Sequence, residues 1–172
     1  MSSRRISALA AAAALAAGTL SFGFTCARAS AAPDCSSNKN LWHVHRRLDG
    51  AISQLQHDER DYGGHRAAAV DDLVAARGDL VAAEQYAVNV DHDDPSCFQA
   101  SGPTGGTGGG TRGQGGSNYN IANVGRWVGR LTEQLQNDQR DYGGHRAAAV
   151  AQLQKAQAEL NAAEQYAAAH GY

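Results

Sequence analysis

The chain has no run of lysine or arginine, no Cys-x-x-Cys-His, no Gly-x-Ser-x-Gly and no Glu-x-x-His. Each absence excludes a class. Without a basic run there is no electrostatic footprint for nucleic acid. Without Cys-x-x-Cys-His there is no covalent haem site. No serine sits in a nucleophile elbow. The Glu-x-x-His pairs that build carboxylate-bridged metal bundles are missing as well. Glycine is plentiful in "GGTGGG", but no Lys-Ser/Thr follows it and no strand precedes it, so it is not a phosphate loop. No catalytic residue and no cofactor are expected, and the chain does not read as an enzyme.

Long apolar stretches are equally scarce. The first residues, "MSSRRISALAAAAALAAGTLSFGFTCARASAAPDC", place Arg4 and Arg5 before an Ala-rich stretch and then Ala-x-Ala options at Ala29 and Ala31. This reads as a cleavable signal peptide over residues 1–31. The stretch is short, and small residues rather than a stop-transfer pattern follow it, so no transmembrane segment is expected after cleavage. The mature protein is expected to be periplasmic or secreted. Cysteine is sparse too: beyond the signal only Cys35 and Cys97 remain, and an even pair in an oxidising compartment is expected to bond.

What the chain does have is a repeat. Residues 38–92 and 118–172 align without a gap at 28 identities in 55 positions, with Arg60 to Val70 and Arg140 to Val150 identical throughout. In each copy, apolar residues recur at alternating spacings of three and four. The first half runs Leu41, Val44, Leu48, Ala51, Leu55, Asp58, Tyr62, matched by Ile121, Val124, Val128, Leu131, Leu135, Asp138, Tyr142. After the glycines come Ala69, Leu73, Ala76, Leu80, Ala83, Ala87, Val90, matched by Ala149, Leu153, Ala156, Leu160, Ala163, Ala167, His170. These are helical seams, small-residue-rich on the second helix, which permits close approach. Asn40 and Asn120 stand where N-caps belong. Gly63 and Gly143 suit a left-handed helix terminus, and Gly64 and Gly144 allow the chain to reverse.

The predicted fold is therefore all-α: tandem αα-hairpins at residues 35–97 and 118–172, joined by a flexible Gly-rich linker at 98–117. One hairpin buries little surface, so a four-helix arrangement is expected, made within the chain or by dimerisation. The twice-spelled "AAEQYA" places Tyr86 opposite Leu41 and Tyr166 opposite Ile121, closing the far end of each seam. Cys35 and Cys97 flank the open end of the first hairpin and would clasp it. That hairpin carries a formal charge of −5, whereas the second is neutral.

The polar cluster common to both copies is the turn: Asp58, Asp61, Tyr62, Gly63, Gly64, His65 and Arg66, and Asp138, Asp141, Tyr142, Gly143, Gly144, His145 and Arg146. One reading makes it a corner, with an Asp58–Arg66 charge pair on the inward stripe while Asp61 and His65 cap the bend. The other makes it a ligand site, a metal held by Asp58, Asp61 and His65 and joined by Asp138, Asp141 and His145 if the turns meet. Arg66 would repel such a cation, and no metal site is adopted. Asp91, His92, Asp93 and Asp94 form a further acidic cluster near His43 and His45, read as a solvated helix end that a cation could visit. Trp42 and Trp127 occupy non-equivalent positions, which suits local packing rather than a common cage.

"DYGGHRAAAVDDLVAARGDLVAA" and "DYGGHRAAAVAQLQKAQAELNAA" resemble small exported bacterial helical-hairpin proteins with an Asp-x-Gly-Gly-His turn and a Lys/Ala-rich helix ending Glu-Leu-x-x-Ala. "NKNL" and "NYNI" are similar to the Asn-Leu that opens the first helix of those proteins. Ala67 and Ala147 stand where their lysine does. The resemblance implies the hairpin and export, and it implies no catalytic residues. The functional expectation is an exported non-catalytic binding or structural module. Its partner would be an unidentified protein or another copy, through the helical seams. The alternative is a metal-ion or small-ligand binder using the repeated Asp/His turn.

Overall fold

A computed structural model describes residues 35–99 and 116–172. The stretch expected to be a signal peptide and nearly all of the Gly-rich linker lie outside the described residues. Among these, the chain forms four α-helices and no strand. They are α1 (Ser36–Gln56), α2 (His65–Asn89), α3 (Ser117–Gln136) and α4 (His145–Ala169), with a 3-10 turn at Pro95–Phe98. None of these helices is long and apolar enough to cross a membrane.

The seams lie where the spacing puts them. Leu41, Val44, Leu48, Ala51 and Leu55 are fully buried, as are Ala69, Leu73, Ala76, Leu80, Ala83 and Ala87. Their counterparts in α3 and α4 join the same continuous core. Only the outermost expected positions fail, with Val90 and His170 exposed beyond the helix ends. Around the bundle the order is α1, α2, α4, α3, and the α2–α4 contact is the most extensive. Alanines at 69, 76, 83 and 87, and at 149, 156, 163 and 167, let these two backbones approach, while Leu73, Leu80, Leu153 and Leu160 fill between them. Cys35 and Cys97 form the clasping disulfide, with Cα atoms 5.2 Å apart.

Both boundaries of the first helix of each hairpin differ from expectation. The N-caps are Cys35 and Gly116, and Asn40 and Asn120 lie a turn inside. Their amides reach across to the opposite hairpin instead of capping their own helix. At the other end α1 stops at Gln56 rather than running to the glycines. The Asp58 carboxylate accepts the Arg60 backbone N–H at 3.1 Å, and Asp138 does the same for Arg140 at 3.1 Å. Such a local bond competes with helix continuation and ends it. Three left-handed residues then reverse the chain: Tyr62 at φ 53°, Gly63 at 67° and Gly64 at 94°, repeated at Tyr142, Gly143 and Gly144.

The hairpins pack head to tail. Asn40 in the first turns of α1 meets Gln134 near the end of α3, and Gln54 near the end of α1 meets Asn120. Each turn therefore rests on the open end of the other hairpin.

Candidate functional site

The repeated turn is held by two kinds of contact. Within its own hairpin, Arg66 donates from Nη1 to the Leu55 carbonyl at 2.8 Å, and Arg146 to that of Leu135 at 2.9 Å. These guanidinium groups terminate α1 and α3 by satisfying carbonyls the helices leave open. Their nearest carboxylates are Asp61 at 3.8 Å and Asp141 at 3.7 Å. The expected Asp58–Arg66 pair does not form, because Arg66 is drawn to the helix end and Asp58 faces the other hairpin.

Between hairpins, Asp138 accepts from Ser37 Oγ, and its Oδ2 accepts from Asn40 Nδ2 at 2.8 Å. The Tyr142 hydroxyl donates to Asn38 Oδ1 at 3.0 Å. Arg140 donates to the same oxygen at 3.0 Å, to Asp93 at 2.5 Å and to Asp91 at 2.7 Å. Asn38, only 1% exposed, completes the network by donating to Asp93 at 2.8 Å. Burial pushes the Tyr142 hydroxyl up from its ordinary 10.0, and that of Tyr62 likewise, so both stay protonated and donate.

The other joint repeats the pattern with fewer charges. Asp58 accepts from Ser117 Oγ, and Tyr62 donates to Asn118 at 2.9 Å, as does Arg60 at 3.3 Å. Asn120 accepts from Gln54 at 3.1 Å rather than donating to Asp58, which leaves the buried Asp58 Oδ2 without a partner. Arg60 lies over the Tyr172 ring, 4.8 Å from its centroid, where Arg140 has two carboxylates. Those tethered hydroxyls also hold Tyr62 and Tyr142 at a positive φ that a bulky residue seldom adopts.

Tyr86 and Tyr166 serve the same joints. A Cβ on Gly143 would lie 2.5 Å from Tyr86 Cε2, and one on Gly63 would lie 2.7 Å from Tyr166 Cε2. The rings thus lie on the other hairpin's glycine, and "AAEQYA" is spelled twice for that contact rather than to close its own seam. His65 reaches Glu159 of α4 at 2.8 Å, whereas His145 meets the edge of the Tyr86 ring at 6.2 Å between centroids.

The two turns do not meet, so Asp58, Asp61 and His65 are not joined by Asp138, Asp141 and His145. The turns stand at opposite ends of helices 25 residues long, about 37 Å at 1.5 Å per residue. Among the described residues, no three His, Cys, Asp or Glu side chains converge on a metal position. At the acidic cluster the visiting cation is the protein's own: Asp91 and Asp93 hold Arg140. Asp94 accepts from Ser96 N–H and starts the 3-10 turn. His45 pairs with Glu84 at 3.0 Å, and His43 lies against Trp42, so neither joins that cluster. Trp127 packs half-buried on the core.

The residues that sequence reasoning missed are Ser37, Asn38, Ser117, Asn118, Arg60 and Arg140. The serines and asparagines stand in "SNKN" and "SNYN", a second element spelled in both copies, and Arg60 and Arg140 open the identical stretches. The last residue of that element, Asn40 or Asn120, has the chemistry of a cap, and cap and docking residues share it. No protein-family model, no curated protein and no solved structure matches the chain.

Proposed function

We propose that the protein is an exported, non-catalytic helical module, acting as a binding or structural element through its outer surface. The repeated Asp/His turn is the joint of its fold and not a site of chemistry. One observation carries this reading: Asp58, Arg60 and Tyr62 at one turn, and Asp138, Arg140 and Tyr142 at the other, are bonded to the opposite hairpin. Groups so committed are not free to turn over a substrate or gather a ligand. The likeness to exported Asp-x-Gly-Gly-His hairpin proteins and the Cys35–Cys97 bond support the export half of the reading.

Two measurements test it. Fractionation of the native cell should recover the chain outside the cytoplasm, beginning just after Ala29 or Ala31 and with the disulfide closed. Calorimetric titration of the pure protein with zinc, copper and nickel should show no stoichiometric binding. Tight binding that disappears in His65→Ala with His145→Ala would overturn the reading.

A further inference from the structure

Each hairpin carries both halves of the joint. One half is the turn, with its Asp, Arg, Tyr and first Gly. The other is the receiving end, Ser-Asn-x-Asn at 37–40 or 117–120 together with Tyr86 or Tyr166. Asp138 bonds Ser37, and Asp58 bonds Ser117; Tyr142 bonds Asn38, and Tyr62 bonds Asn118. The interface is thus isologous in character although it lies within one chain, and that is the geometry of a two-fold dimer. We propose that this surface recognises the corresponding hairpin of a second copy of the chain as well as its own, so that two chains can exchange hairpins.

What selects the internal partner is the length of the connection. The segment between the hairpins begins at the Cys97 end, and Cys97 is bonded to Cys35 at the start of α1. It ends at Ser117, which bonds Asp58 just past the other end of α1. The two ends to be connected therefore lie about the length of α1 apart, 21 residues, or about 30 Å. Seventeen peptide steps separate Gln99 from Gly116. At about 3.4 Å each they reach roughly 58 Å, ample for closure within one chain. Internal closure then wins at low protein concentration, because the tethered hairpin is present at an effective concentration near millimolar.

Charge narrows the outcome of an exchange. The first hairpin carries −5 and the second is neutral. Pairing two first hairpins would double the local negative charge, whereas a first hairpin on another chain's second repeats the native combination. Arg140 would keep Asp91 and Asp93, now across chains. The exchanged species is a closed dimer of two such bundles lying side by side.

Deleting residues 103–114 in the otherwise complete protein tests this. Five steps remain between Gln99 and Gly116, about 17 Å, too short to run along α1. Sedimentation and light scattering at micromolar concentration should give twice the mass of one deletion chain, with undiminished helix by circular dichroism. Restoring twelve Gly/Ser residues should return the monomer. Two differently tagged deletion chains refolded together should each be captured by the other's tag. Adding Arg60→Glu and Arg140→Glu to the deletion chain should weaken the dimer by about tenfold or more, since Arg140→Glu then opposes Asp91 and Asp93 while Arg60→Glu loses the bond to Asn118. A helical monomer from the deletion chain would overturn the proposal, as would loss of helix. So would a dimer indifferent to the two arginine changes, because it would be held by some other surface.

Discussion

Alanine at the two turn glycines separates backbone strain from contact between hairpins. Gly63 and Gly64 both have positive φ, 67° and 94°, but only Gly63 faces a neighbour. A Cβ there would lie 2.7 Å from Cε2 and 3.0 Å from Cδ2 of Tyr166, whereas at Gly64 it would meet nothing within 4 Å. An L-residue in the left-handed region costs about 1–2 kcal/mol, and this applies to both substitutions. Forcing a ring out of a packed position adds about 1–3 kcal/mol, and this applies to Gly63 alone. Gly63→Ala should then cost about 2–5 kcal/mol, and Gly64→Ala about 1–2. The deciding comparison repeats both in a Tyr166→Ala background. With the ring gone, Gly63→Ala should fall to the strain term, a coupling of about 1–3 kcal/mol, while the cost of Gly64→Ala should not change. Urea unfolding of the oxidised protein, followed by circular dichroism, reads all of these. If Tyr166→Ala fails to relieve Gly63→Ala, the turn does not rest on α4 and the head-to-tail arrangement is wrong.

Four further outcomes follow from individual contacts. Asp138→Asn should destabilise by about 1–2 kcal/mol more than Asp58→Asn, because Asn40 donates to Asp138 Oδ2 while Asp58 Oδ2 has no partner; equal costs in urea would contradict the asymmetry. Cys35→Ser with Cys97→Ser opens a link across 62 residues and should cost about 4 kcal/mol in the chain-entropy picture. Arg140→Gln should be less damaging in that background than in the oxidised protein, since the segment bearing Asp91 and Asp93 is no longer anchored; strict additivity would count against this. The hydrogen bond to Glu84 raises the His45 pKa above its ordinary 6.5, against the opposing effect of burial. A raised folded-state value stabilises fully below the unfolded value and is lost as pH climbs through the folded one. Melting temperature should accordingly fall as pH rises from 6.5 towards 8, and His45→Gln should flatten that slope.

Period and repetition alone determined much of this protein. Alternating spacings of three and four identify a buried helical face whatever it packs against, so the seam from Leu41 to Leu55 and the Ala/Leu stripe of α2 were legible. The duplicated glycines mark the corners, and the places of Cys35 and Cys97, flanking one hairpin's open end, are enough to pair them. Only tertiary structure decided what the polar residues do. An inward Asp58 can pair with Arg66 beside it or with a serine from a distant helix. Local spacing favours the first, but Arg66 finds an open helix carbonyl closer at hand. Asn40 can cap its own helix or reach another, and its side chain has the same donor and acceptor in either role. Above all, hydrophobic periodicity states which face is covered but not which way the covering helix runs. That direction was set by joints between residues about a hundred positions apart, Ser37 with Asp138 and Asn38 with Tyr142. It carried the two Asp/His turns to opposite ends of the bundle, which is why a cluster that reads as one site is two corners.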